Sequence, residues 1–102
     1  MKKIKTKNTV NNSIEYEDPE MDYKQLLTYL DQGREIEFSF KRKEYFIPHY
    51  TEGRVILNEN GDHLNPYIND PIQFTKTAKI EELSLKEIFE KHIDQIEVST
   101  IF

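Results

Sequence analysis

Arg34-Glu35-Ile36-Glu37-Phe38-Ser39-Phe40, followed after Lys41-Arg42 by Lys43-Glu44-Tyr45-Phe46-Ile47-Pro48-His49-Tyr50, is the stretch that decides the fold. In its first half Ile36, Phe38 and Phe40 alternate strictly with Glu35, Glu37 and Ser39, the period of a strand with one buried face. A two-residue turn at Lys41-Arg42 sets Phe38 opposite Tyr45 and Ile36 opposite Ile47, so both strands turn an apolar face the same way. Glu35, Glu37, Glu44, Phe46 and Pro48 then share the other face. Lys-Arg is poor chemistry for a type I′ turn, which needs positive φ at both positions and favours Asn-Gly; a longer loop is the alternative. Pro48 has no N–H for a ladder, which makes the second strand an edge or places a bulge there.

Helical patterns flank this hairpin. Upstream, Tyr23, Leu26, Leu27 and Leu30 follow a 3.6-residue period over residues 22–32. Asp22 with Gln25 reads as a capping box, Met21 with Leu26 as a hydrophobic staple, and Gly33 as the left-handed residue ending the helix. Downstream, Thr51-Glu52-Gly53 turns into an expected third strand, Arg54-Val55-Ile56-Leu57. Residues 58–71 are rich in Asn, Asp, Gly and Pro and read as a long loop. Asp70-Pro71 opens a short helix to about Ala78, with Phe74 and Ala78 inward. Leu83-Ser84-Leu85-Lys86-Glu87-Ile88-Phe89 carries a second capping box, Ser84 with Glu87, and a staple of Leu83 with Ile88. The last segment, Ile93–Phe102, reads as a strand with Ile96, Val98, Thr100 and Phe102 on one face. The expected fold is therefore α+β: a small, mostly antiparallel sheet, a three-stranded meander plus the C-terminal strand, packed on one face by two or three short helices.

Composition bounds the rest. The chain has 102 residues, which is one domain's worth, with 36% apolar and 32% charged residues and a net charge of -5. It has no cysteine, so disulfides, thiolate metal sites and cysteine nucleophiles are excluded. Residues 1–14 hold four lysines and no acid, residues 15–22 hold five acids, and the remainder is again acidic. Residues 1–20 lack apolar periodicity and are expected to form a charged arm, with a single domain over 21–102. The basic start is followed by Asn8, Thr9 and Val10 rather than the apolar core of a signal peptide, and no apolar run is long enough to span a membrane. A cytoplasmic protein is the expectation.

Searching for chemistry leaves little. His49, His63 and His92 stand in no metal-ligand spacing, and His92 continues a helical apolar stripe. Ser84 is occupied as a cap, and Ser39 has no base evident nearby. Gly33, Gly53 and Gly61 are too dispersed for a phosphate cradle. Asn58-Glu59-Asn60-Gly61-Asp62 only superficially matches a calcium loop, since its glycine falls one position early and no bidentate Glu follows. No catalytic residue, cofactor or metal is expected. Carboxylates on one hairpin face are the recurrent polar feature. Glu35, Glu37 and Glu44 with Phe46 and Tyr50 form a candidate surface for a protein partner with a basic face, and the edge strand offers itself to a partner strand. Lys2, Lys3, Lys5 and Lys7 are the alternative, a nucleic-acid-binding arm.

Five pieces, Leu26-Leu27-x-Tyr29-Leu30, Gly33-Arg34-Glu35-Ile36-Glu37-Phe38, Lys43-Glu44-Tyr45, Leu83-x-Leu85-Lys86-Glu87-Ile88-Phe89 and Ile96-Glu97-Val98-x-x-Ile101-Phe102, resemble a loose set of small uncharacterised proteins of Gram-positive bacteria and their phages. The pieces cover about half of the chain. The relatives tend to carry a glycine turn where this chain has Lys41-Arg42, and residues 58–71 look like an insertion. The resemblance brings no catalytic residues. It implies a mobile-element accessory protein, many of which inhibit host nucleases or defence systems, as anti-CRISPR proteins do. The expected function is a small acidic, non-enzymatic protein-binding module that inhibits a nucleic-acid-handling host complex.

Overall fold

The computed structural model describes residues 21–102. Eleven short elements follow one another: α1 (Tyr23–Asp31), β1 (Ile36–Phe40), β2 (Lys43–Ile47), β3 (His49–Tyr50), β4 (Gly53–Arg54), α2 (Pro71–Thr77), β5 (Lys79–Ile80), β6 (Leu83–Ser84), α3 (Leu85–Lys91), a 3₁₀ turn (Ile93–Gln95) and β7 (Ile96–Ile101). The main sheet is antiparallel with order β2-β1-β7, and β3-β4 and β5-β6 form two small ribbons. The fold is the expected α+β class.

Local chemistry sets the helix ends. Asp22 accepts from the Gln25 N–H at 2.8 Å, while Gln25 Oε1 accepts from the Asp22 N–H at 3.0 Å, which closes the capping box. At the far end Gly33 has φ +80°. There the Gly33 N–H donates to the Leu30 carbonyl and the Arg34 N–H to that of Tyr29, a Schellman ending. The Arg34 guanidinium lies 5.4 Å from the Tyr29 ring centre, covering the same turn. Asp70 caps α2 through the Gln73 N–H, with Pro71 in its first turn, and Ser84 caps α3 through the Glu87 N–H.

The three helices cover the inner face of the sheet. Leu26 and Leu30 of α1, Phe74 of α2, and Leu85, Ile88 and Phe89 of α3 join Ile36, Phe38, Phe40, Tyr45 and Ile47 in one buried cluster. Phe38 stacks on Tyr45 with ring centres 5.7 Å apart and meets the edge of Phe89 at 5.5 Å. Thr75 is fully buried, and its hydroxyl donates back into α2, so the Tyr23 hydroxyl 2.9 Å away is the donor that ties α1 to α2.

The hairpin has the expected register, with Ile36 opposite Ile47 and Phe38 opposite Tyr45. Its turn is the two-residue form in spite of its sequence, with Lys41 at φ +52° and Arg42 at φ +69°. A second turn of the same kind, Glu81 (φ +53°) and Glu82 (φ +73°), joins β5 to β6. The two turns face each other: Lys41 Nζ is 3.4 Å from Glu81 Oε1, and Lys43 Nζ is 3.8 Å from Glu81 Oε2. Exposed pairs of this kind contribute about 0.2–1 kcal/mol, whereas each L-residue held left-handed costs about 1–2 kcal/mol. Sterics dominate. Replacing Lys41-Arg42 by Asn-Gly should therefore raise stability by about 1 kcal/mol and Tm by about 4–8 °C, as thermal unfolding would show; an unchanged or lower Tm would mean that the ion pairs outweigh the strain.

Three expectations need correction. The third strand does not form along residues 54–57: Gly53–Arg54 pairs with His49–Tyr50 in a separate ribbon, because Pro48 interrupts β2 and the chain leaves the main sheet there. Only Leu57 returns, bridging Phe46. The terminal strand starts at Ile96, not Ile93, since residues 93–95 form the 3₁₀ turn. Its alternation also breaks: Phe38 pairs with Val98, but the neighbouring Glu37 pairs with Thr100, so Ser99 is an extra residue, a bulge. Ile101 therefore lies opposite Ile36 on the inner side, and Thr100 and Phe102 move to the outer side.

Candidate functional site

The outer face of the main sheet is the face the helices leave open, and register places its side chains in three rows. Glu44, Ser39 and Glu97 make one row, Phe46, Glu37 and Thr100 the next, and Glu35 and Phe102 the last, where the Phe102 N–H donates to the Glu35 carbonyl at 2.7 Å. The rings of Phe46 and Phe102 meet edge to face at 6.0 Å, reaching over β1 from its two sides. Phe102 is 63% exposed, the most exposed large apolar side chain among the described residues. No lysine or arginine stands in these rows. None of their carboxylates takes part in an ion pair among the described residues; the ion pairs formed there use Glu81 and Glu90. The arrangement is an aromatic pair within a ring of uncompensated negative charge.

Of the five residues expected at this surface, Glu37, Glu44 and Phe46 are brought together. Glu35 lies on the same face, but its carboxylate accepts the His49 N–H at 2.8 Å, so its main task is to tie β1 to the start of β3. Tyr50 is elsewhere, in the β3–β4 ribbon, with its ring 6.0 Å from that of Tyr67. Glu97 and Phe102 are the members that sequence reading missed. The Ser99 bulge hid Phe102, because regular alternation points it inward. Lys2, Lys3, Lys5 and Lys7 lie outside the described residues.

Strand addition at β2 is corrected by the geometry. The Phe46 N–H donates to the Leu57 carbonyl at 3.0 Å and the Phe46 carbonyl accepts from the Leu57 N–H at 2.8 Å. The Glu44 N–H is taken by Glu59 Oε2 at 3.2 Å. Three outward backbone groups of β2 are thus already paired, and the Glu44 carbonyl alone is left for a partner strand, too little for a ladder. Glu59 also brings a further carboxylate to this rim.

Behind the face lies a buried cation. Arg54 is 2% exposed, and its guanidinium donates to the Pro48 carbonyl at 3.1 Å and to the Leu30 carbonyl at 2.9 Å. It sits at the carbonyl end of α1, where the helix dipole favours positive charge. Burial pulls its pKa below the ordinary arginine value, and the nearby Glu35 carboxylate opposes that shift. On the inner face, burial pushes the Tyr45 phenol above its ordinary value, with Glu81 and Glu59 adding to the effect, so it packs as a neutral ring.

Among the described residues no group of three or more His, Asp or Glu side chains is placed to hold a metal ion, and no helix is long and apolar enough to cross a membrane. No protein-family model, curated protein or solved structure matches the chain.

Proposed function

We propose that this chain is a non-enzymatic binding module that docks a basic protein surface onto the outer face of its main sheet. The observation that carries the reading is the Phe46–Phe102 pair set among Glu37, Glu44 and Glu97 with no basic residue in the rows. Aromatic rings anchor interfaces when they become fully desolvated, and unpaired carboxylates around them steer a cationic partner and reject an anionic one. Support for the biological setting comes from the resemblance to small proteins of Gram-positive bacteria and their phages: the partner is a nucleic-acid-handling or defence complex in the host cytoplasm, whose cationic groove the face blocks. Lysine side chains at residues 2, 3, 5 and 7 carry the alternative, contact with nucleic acid itself.

Affinity capture from host lysate at low salt, with the wild-type chain beside the Glu37→Lys/Glu44→Lys variant, tests the reading. Wild type should retain a protein that elutes as salt rises, and the double reversal should weaken retention by about tenfold or more. Equal retention by both removes this face as the interface. A chain lacking residues 1–14 should capture the protein unchanged; if it instead loses binding to nucleic acid with a steep salt dependence, the arm is the functional element.

A further inference from the structure

A second aromatic group lies outside the three rows of the sheet face, linked to Phe46 only through Leu57. The ring of Tyr67 meets Tyr50 at 6.0 Å and 77° and His63 at 5.6 Å and 75°, so three rings form two near-perpendicular junctions. Tyr50 is 38% and Tyr67 43% exposed. The rings do not rest on a loose loop. Tyr50 pairs with Gly53 in the β3–β4 ribbon, and the absent side chain at Gly53 lets the backbone of Ile68 pass where a Cβ would lie 3.0 Å from it. His63 is fixed by its bridge to Leu57, and Asn58 Oδ1 accepts from the N–H groups of Asn60 and Asp62 to hold the bend between them.

The segment that carries these rings is acidic. Residues 45–75 supply Glu52, Glu59, Asp62 and Asp70, and their one lysine or arginine side chain, Arg54, is buried against carbonyls. The surface these residues contribute is therefore anionic, with no cation of its own. A tyrosine face is itself electron-rich and attracts a cation within about 6 Å of its centre. Two exposed rings set at right angles offer a planar guanidinium one face to stack on and one edge to abut. A guanidinium also keeps its in-plane donors for carboxylates while it stacks, which an ammonium on a flexible stem does not.

We propose that Tyr50, Tyr67 and His63 form an arginine-reading site for a peptide segment of a protein partner. The site is built on the β3–β4 ribbon and the loop that follows it, not on the rows of the main sheet, and stands or falls separately from the proposed function. NMR titration of the full chain, following the tyrosine ring resonances, tests it with three probes: a six-residue arginine peptide, its lysine counterpart and a neutral proline peptide. The arginine peptide should move the Tyr50 and Tyr67 signals saturably and bind about tenfold more tightly than the lysine peptide. Tyr67→Leu should lose that preference, and Asp62→Asn, which leaves the rings in place, should weaken binding several-fold. The Glu37→Lys/Glu44→Lys variant should bind the peptide through these rings with the arginine preference intact. Equal binding of arginine and lysine peptides overturns the proposal, since charge alone then suffices. So do shifts confined to Phe46 and Phe102, or tighter binding of the proline peptide.

Discussion

Arg54→Ala is expected to lower the stability of the domain by about 2–4 kcal/mol, a large share of the ~5–15 kcal/mol that holds a domain of this kind. The guanidinium is buried and satisfies carbonyls from two separate places, the end of α1 and the turn after β2. Its backbone extends the connection, because the Arg54 N–H and carbonyl both pair with Ile68. Truncation would orphan the Pro48 carbonyl in a dry setting and leave a void along the lost stem. The Leu30 carbonyl keeps a second donor, the Gly33 N–H, so the loss there is partial. Urea denaturation of Arg54→Ala, Arg54→Met and Arg54→Lys separates the terms: Met restores the stem without donors, and Lys restores the charge without the fork. Both should fall between Ala and wild type. A methionine variant as stable as wild type would show that the two carbonyls gain nothing from the guanidinium.

Gly53→Ala carries the second large effect, about 2–4 kcal/mol. Gly53 has φ +135°, and a Cβ there would lie 3.0 Å from both N and C of Ile68 and 3.1 Å from its O. Those neighbours are backbone, locked into pairing with Arg54, and cannot rotate away. Gly61 is the internal control, with φ +82° and nothing within 4 Å of the same hypothetical atom. Gly61→Ala should lose only about 1 kcal/mol, from backbone conformation alone. Thermal unfolding of the two variants side by side checks the contrast. Equal losses would mean that conformation, not the close passage of Ile68, sets the requirement at Gly53.

What was legible in the sequence depended on distance along the chain. Of the two capping boxes expected, Asp22 with Gln25 closes in both directions, whereas at Ser84 with Glu87 only the serine half forms; the partners are three residues apart, so residue types suffice to place both caps. The hairpin register was equally accessible, because burial of Ile36, Phe38 and Phe40 demands a matching face at Tyr45 and Ile47. The turn at Lys41-Arg42 was harder: its residues favour another geometry, and pairing of the strands overrides them. Arg54 looked like one more strand residue, since the carbonyls it reaches lie 6 and 24 positions away. The closure of β2 by Leu57 and Glu59 was invisible for the same reason. At the candidate site, Glu37, Glu44 and Phe46 followed from period-two alternation. Glu97 and Phe102 required knowing how β7 pairs and where it slips.

That slip carries a consequence of its own. Ser99 acts as a parity element for the chain terminus: by adding one step, it exchanges which of two adjacent large side chains is kept and which is shown. With the step, Ile101 is retained opposite Ile36 and Phe102 is offered to the outside; the same residues in unbroken pairing would set Thr100 opposite Ile36, turn Ile101 outward and turn Phe102 inward. Unbroken pairing would thus replace an isoleucine by a threonine beside Ile36, so burial of Ile101 against Ile36 favours the step. Deleting Ser99 would leave Val98, Ile101 and Phe102 on their present faces, so the outward display of the terminal ring survives loss of the very residue that makes the step.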